Sequence, residues 1–452
     1  MSLSISFLGA ARTVTGSRYL VRSDAGSVLV DCGLFQGPAE LRRRNRGDLG
    51  FDPRALDAVV LTHAHMDHTG LLPRLCALGF EGPVFCTAGT RDLLGVLLPD
   101  SARIQEEDAR RHREPTGPEG PYPLYTVADV HAALSLLQPR AFHETFALAL
   151  GIDGRFSRAG HILGAASFTL RAEELTIAFS GDVGRPDDPV MRPPEPLLEA
   201  DYLIVESTYG DRRHAVESVF DALERVVVET AARGGALLIP AFAIGRAQHI
   251  MHVLAELTDA RRVPDLPVFL DSPMAINATK IFCDHPDDHR LSPSQCEAAC
   301  GVAQYTRTPE ESKTISRRPG PKIILAASGM ATGGRVVHHL KHLLPDHRNT
   351  VLFAGFQAPG TRGHELVHGA GEVEIHDEWL PVRARVERLE GLSAHGDYAE
   401  LLDWLAQSEV SPCRVFVTHG EDHAAEAFRG RLEDAFGWDV EVPSTGALVA
   451  LG

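Results

Sequence analysis

Three imidazoles and a carboxylate fall within six residues in the run Leu61, Thr62, His63, Ala64, His65, Met66, Asp67, His68, Thr69, Gly70. The run follows the apolar stretch Ala58, Val59, Val60 and Leu61. Four potential ligands on so short a stretch converge only if the chain leaves a strand and turns tightly, with His63, His65 and Asp67 alternating along one side. His68 is then expected to open the next helix. Imidazole and carboxylate together suit zinc, which turns bound water into a nucleophile near neutral pH. Burying this much polarity without a cation would leave several groups unpaired. The chemistry indicated is water-activating, metal-dependent hydrolysis.

Short elements must deliver these side chains. Residues 4–8, 18–21 and 27–30 read as strands joined by Gly-containing turns. Asp31, Cys32 and Gly33 close the third, and Asp31 is placed to accept a hydrogen bond from a ligating histidine. Helices are expected after His68 and Thr87 and over residues 127–137, with strands near Phe156 and over 167–170 and 175–179. From about Asp211 the pattern becomes regular β-α alternation. Residues 236–240, 268–270, 323–326 and 351–354 are apolar runs typical of buried parallel strands, which points to an inserted α/β domain. After Pro381 come a strand at 385–389, a helix after Asp397, a strand at 414–417 and a helix after Glu421.

Further candidate ligands share one placement, a His or Asp just after a strand-like run beside glycine. His161 stands between Gly160 and Gly164, Asp182 between Gly181 and Gly184, and His419 before Gly420. Each is weak alone and strong as a set.

Composition is that of a globular protein large enough for two domains: 452 residues, 44% hydrophobic and 23% charged. No apolar run is long enough to span a membrane, so none is expected as a partner. The start Met1, Ser2, Leu3, Ser4, Ile5 lacks a signal-peptide pattern, and a cytoplasmic location is expected. The net charge of −17 opposes simple binding of phosphates. Bound cations and local clusters such as Arg42, Arg43, Arg44 and Arg110, Arg111, His112, Arg113 would reverse it locally. The seven cysteines show no Cys-X2-Cys spacing and read as separate reduced thiols, with Cys296 and Cys300 the one pair at helical spacing.

The order His63, His65, Asp67, His68, His161, Asp182 resembles that of the metallo-β-lactamase superfamily. The continuation resembles its β-CASP branch of nucleic-acid-processing nucleases, which includes the cleavage and polyadenylation endonuclease. It does so at Glu206 within Val205 to Gly210, at His395 within Leu392 to Asp397, and at His419. The connecting motifs Pro240 to Arg246, Asp271 to Ala275, Ala327 to Met330 and Thr332 to Arg335 agree as well. The resemblance covers nearly the whole sequence. It implies an α/β fold, an αββα sandwich formed by residues 1–209 and 386–452, with a mainly parallel β-CASP insert at 210–385 roofing the site over a cleft for a single strand.

Carried over residue by residue, the resemblance assigns His63, His65 and His161 to one zinc, Asp67, His68 and His419 to a second, and Asp182 to both. It implies a shared water acidified to hydroxide, His395 as general acid and Glu206 holding it cationic. Manganese is an alternative in vitro. Ser328, Gly329, Arg246, Ser272 and Arg335 are candidates for holding phosphate. The activity implied is a dizinc ribonuclease acting on single-stranded RNA, as an endonuclease or also a 5′-exonuclease. His419 favours RNA because DNA-directed members of the branch carry an aliphatic residue there. A DNA nuclease, a small-molecule ester or thioester hydrolase and a non-catalytic subunit are the alternatives. After His419 the sequence runs only from Gly420 to Gly452, without the extra C-terminal domain of the bacterial ribonuclease J group. A homo-oligomer therefore stays open.

Overall fold

A computed structural model describes residues 3–111, 122–215, 217–355, 357–358 and 360–452. His112 and Arg113 of the second basic cluster lie outside the described residues. The chain forms two compact units, residues 1–213 with 395–452, and residues 214–394.

The first unit is built on two seven-stranded sheets. One runs, in spatial order, Leu448–Ala450, Ser4–Gly9, Arg18–Ser23, Gly26–Val30, Ala58–Val60, Val84–Cys86, Leu137–Pro139. The other runs Val440–Glu441, Arg414–Thr418, Tyr202–Glu206, Leu175–Phe179, Ala166–Ala172, Ile152–Arg158, Thr145–Ala149. Alternating burial in strands such as Thr145–Ala149 turns every second side chain inward. Phe7, Tyr19, Phe85, Phe146, Phe156, Phe168, Phe179 and Phe416 share one core cluster. Phe156 sits between Phe146 and Phe168 with ring centroids 5.4 and 5.3 Å away. Leu401, Trp404 and Leu405 of the helix Tyr398–Gln407 and Phe428 of Asp422–Phe436 pack with Val415 and Val417. That gives the layers of an α/β sandwich.

What matters for function is where the parallel strands end. Ala58–Val60 runs parallel to Gly26–Val30 and to Val84–Cys86. Tyr202–Glu206 runs parallel to Leu175–Phe179 and to Arg414–Thr418, with Glu206 opposite Thr418. Parallel neighbours bring their carboxyl ends to one edge, where loops can carry chemistry. Asp31 and the His63 loop therefore leave one sheet side by side, and Asp182, Glu206 and His419 leave the other.

The helix after the first cluster begins at Met66 with His65 as its N-cap, so Asp67 lies in the first helical turn and not on an extended continuation. A carboxylate is favoured there by the helix dipole. The expected helix at 127–137 stops at Ser135, and Leu137–Pro139 is an edge strand.

The second unit holds a six-stranded sheet in the order Gln304–Tyr305, Val268–Asp271, Lys322–Ala326, Ala236–Pro240, Thr350–Ala354, Arg385–Leu389. Every pairing in it is parallel. The central strands are buried along their whole length, which is why they read as unbroken apolar runs. Arg385–Leu389 pairs with Thr350–Ala354 in this sheet. The unit therefore extends to Ala394, beyond the expected boundary at 385, because the sheet edge needs that strand. A hairpin of Glu372–Ile375 and Glu378–Pro381 is also present.

The cysteines depart from expectation. Cys283, near the end of the helix Pro273–Asp284, meets Cys296 and Cys300 of Pro293–Gly301. The sulfurs of Cys283 and Cys300 are in bonding contact. Sequence spacing could not show this, because the contact depends on how two helices pack.

Candidate active site

The first-unit candidates gather at the shared sheet edge in two groups. In one, His65 Nδ1 stands 3.1 Å from His63 Nε2 and 3.2 Å from His161 Nε2. In the other, His68 Nε2 is 2.9 Å from His419 Nε2, which is 3.5 Å from an Asp67 oxygen. Asp182 serves both. Its Oδ2 lies 3.3 Å from His63 Nε2 and 3.6 Å from His161 Nε2, and its Oδ1 lies 3.3 Å from His68 Nε2 and 3.6 Å from His419 Nε2. Each carboxylate oxygen thus faces one histidine group.

Backbone hydrogen bonds lock the loops that hold these residues. Gly160 bridges to Val183, and Gly184 N–H donates to Ala159 O, so the His161 turn stands beside Asp182. Gly181 adopts φ +57°, and a Cβ there would sit 2.8 Å from Ala166 O, so glycine is needed to turn the chain into Asp182. A Cβ on Gly33 would fall 1.6 Å from Asp67 O, which lets the Asp31 loop pass against the histidine loop. His419 has φ +50°, a strained value for a side-chain-bearing residue, held by its N–H donating to Ala10 O.

The far ring nitrogens are fixed in turn. His68 Nδ1 pairs with Asp31 Oδ2 at 2.7 Å, the arrangement expected of a carboxylate behind a ligating imidazole. His63 Nδ1 meets Thr62 Oγ1 at 3.2 Å, and Thr62 N–H donates to Asp31 Oδ1 at 2.8 Å. His419 Nδ1 meets Thr208 Oγ1 at 3.2 Å. Thr62 and Thr208 were not singled out in the sequence, although Thr62 adjoins His63 and Thr208 lies two residues after Glu206.

His395 lies on the loop before the helix Tyr398–Gln407, which Asp397 and Glu400 close with reciprocal side-chain caps. Its Gly396 neighbour donates to Val183 O at 2.8 Å. Both oxygens of buried Glu206 lie 3.1 Å from His395 Nδ1, and His395 Nε2 points inward, 3.9 Å from Asp182 Oδ2. Glu206 is itself fixed by Val183 N–H at 2.7 Å. The His395 side chain keeps 19% exposure, against 2% for Asp182. Asp67, at 18%, is exposed to a similar degree.

Burial opposes charging His395, but the negative charges of Glu206 and Asp182 outweigh it and lift its pKa to about 9. His68 and His419 are likewise buried, yet their carboxylate neighbours raise them. Burial, reinforced by neighbouring histidines, lowers His63 and His161 and takes His65 to about 3. Those three rings are neutral donors at neutral pH.

The donor set fits metal. Among the described residues, buried Asp182 Oδ1 has no hydrogen-bond partner, a state a carboxylate tolerates when a cation takes its lone pair. Ring nitrogens converging on common points, with the far nitrogens of His63, His68 and His419 anchored, form the nitrogen and oxygen set that divalent ions prefer.

In the second unit, three phosphate candidates lie just beyond the carboxyl ends of neighbouring parallel strands. Ser272 caps the helix after Val268–Asp271, accepting from Ala275 N–H. Ser328 and Gly329 follow Lys322–Ala326, and the Ser328 hydroxyl meets Thr332. Arg246 opens the helix Arg246–Asp259, its guanidinium lying against Gly355. Arg335 opens the helix Arg335–Leu343, and its guanidinium donates to buried Asp271 and to the carbonyls of Thr306 and Arg307. Those bonds engage its donors inside the fold. In the basic clusters, Arg44 lies over the Phe35 ring and Arg110 pairs with Glu106. Among the described residues no helix is long and apolar enough to cross a membrane.

Comparison with known proteins agrees with this architecture. Family models match at residues 12–228 (metallo-beta-lactamase superfamily), 247–366 (Beta-Casp domain) and 379–443 (Zn-dependent metallo-hydrolase RNA specificity domain). The chain is 39% identical to Ribonuclease TTHA0252 of Thermus thermophilus, over 97% of each chain. It is 33% identical to transcription termination factor FttA of Methanocaldococcus jannaschii, over 98% of this chain and 70% of that one. It is 29% identical to an RNase J-like protein of the same organism, over 99% of both. A crystal structure of a protein of unknown function from Enterococcus faecalis V583 shares the fold, with TM-score 0.58 at 13% identity, each chain fully covered. With its two histidine groups, its parallel insert and relatives aligned along its whole length, the chain belongs to the β-CASP branch of the metallo-β-lactamase superfamily and is a metal-dependent hydrolase.

Proposed function

We propose that the chain is a dizinc ribonuclease that hydrolyses phosphodiester bonds of single-stranded RNA. The observation that carries this reading is the division of Asp182, one oxygen toward each histidine group, with His395 directed at the same carboxylate. His63, His65, His161 and Asp182 would hold one ion, and Asp67, His68, His419 and Asp182 the other. Manganese is an alternative occupant in vitro. When bound, such a pair supplies Lewis-acid activation of water and neutralises charge on a phosphoryl group.

The protein's own residues do the rest. Asp31 and Thr208 keep His68 and His419 aimed inward. His395 donates its Nε2 proton to the departing ribose oxygen, and Glu206 holds that ring charged through Nδ1. Ser328, Gly329, Ser272 and Arg246 offer polar groups at one edge of the second unit for neighbouring phosphates. RNA is favoured by the ribonuclease relative that matches end to end and by the match of residues 379–443 to an RNA specificity domain. The expected setting is RNA processing or decay in the cytoplasm.

The test is cleavage of a 5′-labelled single-stranded RNA beside the same sequence as DNA, with metal content measured on the same preparation. RNA cut by protein carrying about two zincs supports the proposal, and the product ladder distinguishes endonuclease from 5′-exonuclease action. DNA cut in preference would assign a DNA nuclease. Ester turnover with neither nucleic acid cut would assign a small-molecule hydrolase.

A further inference from the structure

The second unit holds a cluster of soft ligands that hydrolysis does not use. Cys296 and Cys300 stand one turn apart on the helix Pro293–Gly301 and share a face. That helix packs against the helices Arg246–Asp259 and Pro273–Asp284, and the latter brings in Cys283. The Cys296 and Cys283 sulfurs are 3.0 Å apart, and all three sulfurs lie within 4.8 Å of one another. Cys296 is buried, and Cys283 and Cys300 are half-buried. The cluster thus has a closed side and an open one.

A covalent pair is a poor account of this arrangement. The Cα atoms of Cys283 and Cys300 are 8.0 Å apart, beyond the span at which a disulfide closes without moving the backbone. It also leaves Cys296, whose sulfur is 3.0 Å from that of Cys283, without a role. An ion between the sulfurs spans the wider Cα separation, because two metal–sulfur bonds of about 2.3 Å replace one S–S bond of about 2.05 Å. Burial raises the Cys296 thiol, so the three lose their protons together only where a cation among them offsets their mutual repulsion, and thiolates select soft ions.

We propose that Cys283, Cys296 and Cys300 form a three-thiolate site for one soft d10 cation, Zn2+ or Cu+, separate from the histidine centre. Binding releases the three thiol protons to solvent as three metal–sulfur bonds form, and no electron is transferred. A zinc ion would complete its tetrahedron from the open side, whereas a cuprous ion is satisfied by three thiolates.

The experiment uses the full chain with its histidine centre loaded with zinc, reduced and kept anaerobic. Cd2+ is titrated in while sulfur-to-cadmium charge-transfer absorption is followed, a band that imidazole and carboxylate ligands do not give. One saturating equivalent is expected, absent in C283S/C300S and in C296S and retained in C413S, since Cys413 is an exposed thiol outside the cluster. In the wild-type chain, alkylation mapped by mass spectrometry should show Cd2+ protecting Cys283, Cys296 and Cys300 together and leaving Cys413 reactive. This reading does not depend on any variant folding. Displacement of cadmium by Zn2+ identifies a zinc site, and displacement by Cu+ alone a copper site. Absence of a saturable band, a band that survives in C283S/C300S, alkylation unaffected by Cd2+, or a Cys283–Cys300 disulfide in the anaerobically purified chain would each overturn the proposal.

Discussion

Replacing Glu206 by Gln should convert the pH dependence of cleavage rather than simply reduce it. Gln keeps the Oε1 acceptor for Val183 N–H, 2.7 Å away, but removes the charge that lies 3.1 Å from His395 Nδ1. A raised histidine pKa keeps the acid form populated below that pKa and loses it as pH rises through it. With the pKa at about 9, roughly nine-tenths of His395 is protonated at pH ~8. At the ordinary value of 6.5, only about 3% would be. The acid form therefore falls about thirtyfold at pH ~8 and less than about twofold at pH ~6. Burial still lowers the ring while Asp182 and Asp67 still raise it, so thirtyfold is the loss expected where these two effects offset. The assay is single-turnover cleavage of a labelled RNA from pH ~5.5 to ~9.5, with metal content checked at each end. A uniform loss at every pH would show that Glu206 only supports the fold, and loss of metal would show that it helps hold the ions. Either result refutes the argument.

His395→Ala should lower turnover by roughly 10² to 10⁴ with both metals retained; elemental analysis beside kcat checks this, and metal loss would make His395 a ligand. His419→Ala should deplete one metal selectively, read as zinc per chain, because only the group with Asp67 and His68 loses a donor. Acidification should empty that same group first. His68 and His419 have raised pKa values and must shed protons to bind metal, so affinity there should fall by up to about a hundredfold per pH unit. His63, His65 and His161 are already neutral and should show little change; stepwise dialysis with zinc analysis tests the order. Phe156→Ala, in the sandwich core and fully buried, should cost about 3–5 kcal/mol of stability, read as a lower urea midpoint.

The sequence was most legible where chemistry is concentrated in short runs. His63, His65, Asp67 and His68 could be recognised from spacing alone. His161, Asp182 and His419 could be flagged because each follows a strand-like run beside glycine. Their convergence could not be read locally, since it depends on parallel register such as Glu206 opposite Thr418. The buried strands of the insert were visible as apolar runs, whereas Arg385–Leu389, mixed in polarity, gave no sign of which sheet it joins. Thr208 and Thr62 lie near Glu206 and His63 in sequence but act only through the rings they touch, which no local pattern reveals. Arg335 has the sequence placement of a phosphate ligand, after Gly333 and Gly334, but its guanidinium is held by Asp271 and two carbonyls, which no local pattern shows. The cysteine trio was missed because two of its members share a helix and the third does not.

The ligands are also ordered in time. A ribosome making this chain finishes the first histidine group and Asp182 before it begins the insert, and it adds His419 only after the whole of residues 214–394 has been made. A chain that ends within the insert therefore lacks His419 and His395, and it lacks the strands Arg414–Thr418 and Leu448–Ala450 that pair with Tyr202–Glu206 and Ser4–Gly9. Under the proposed mechanism such a fragment would be without its second group and its proton donor.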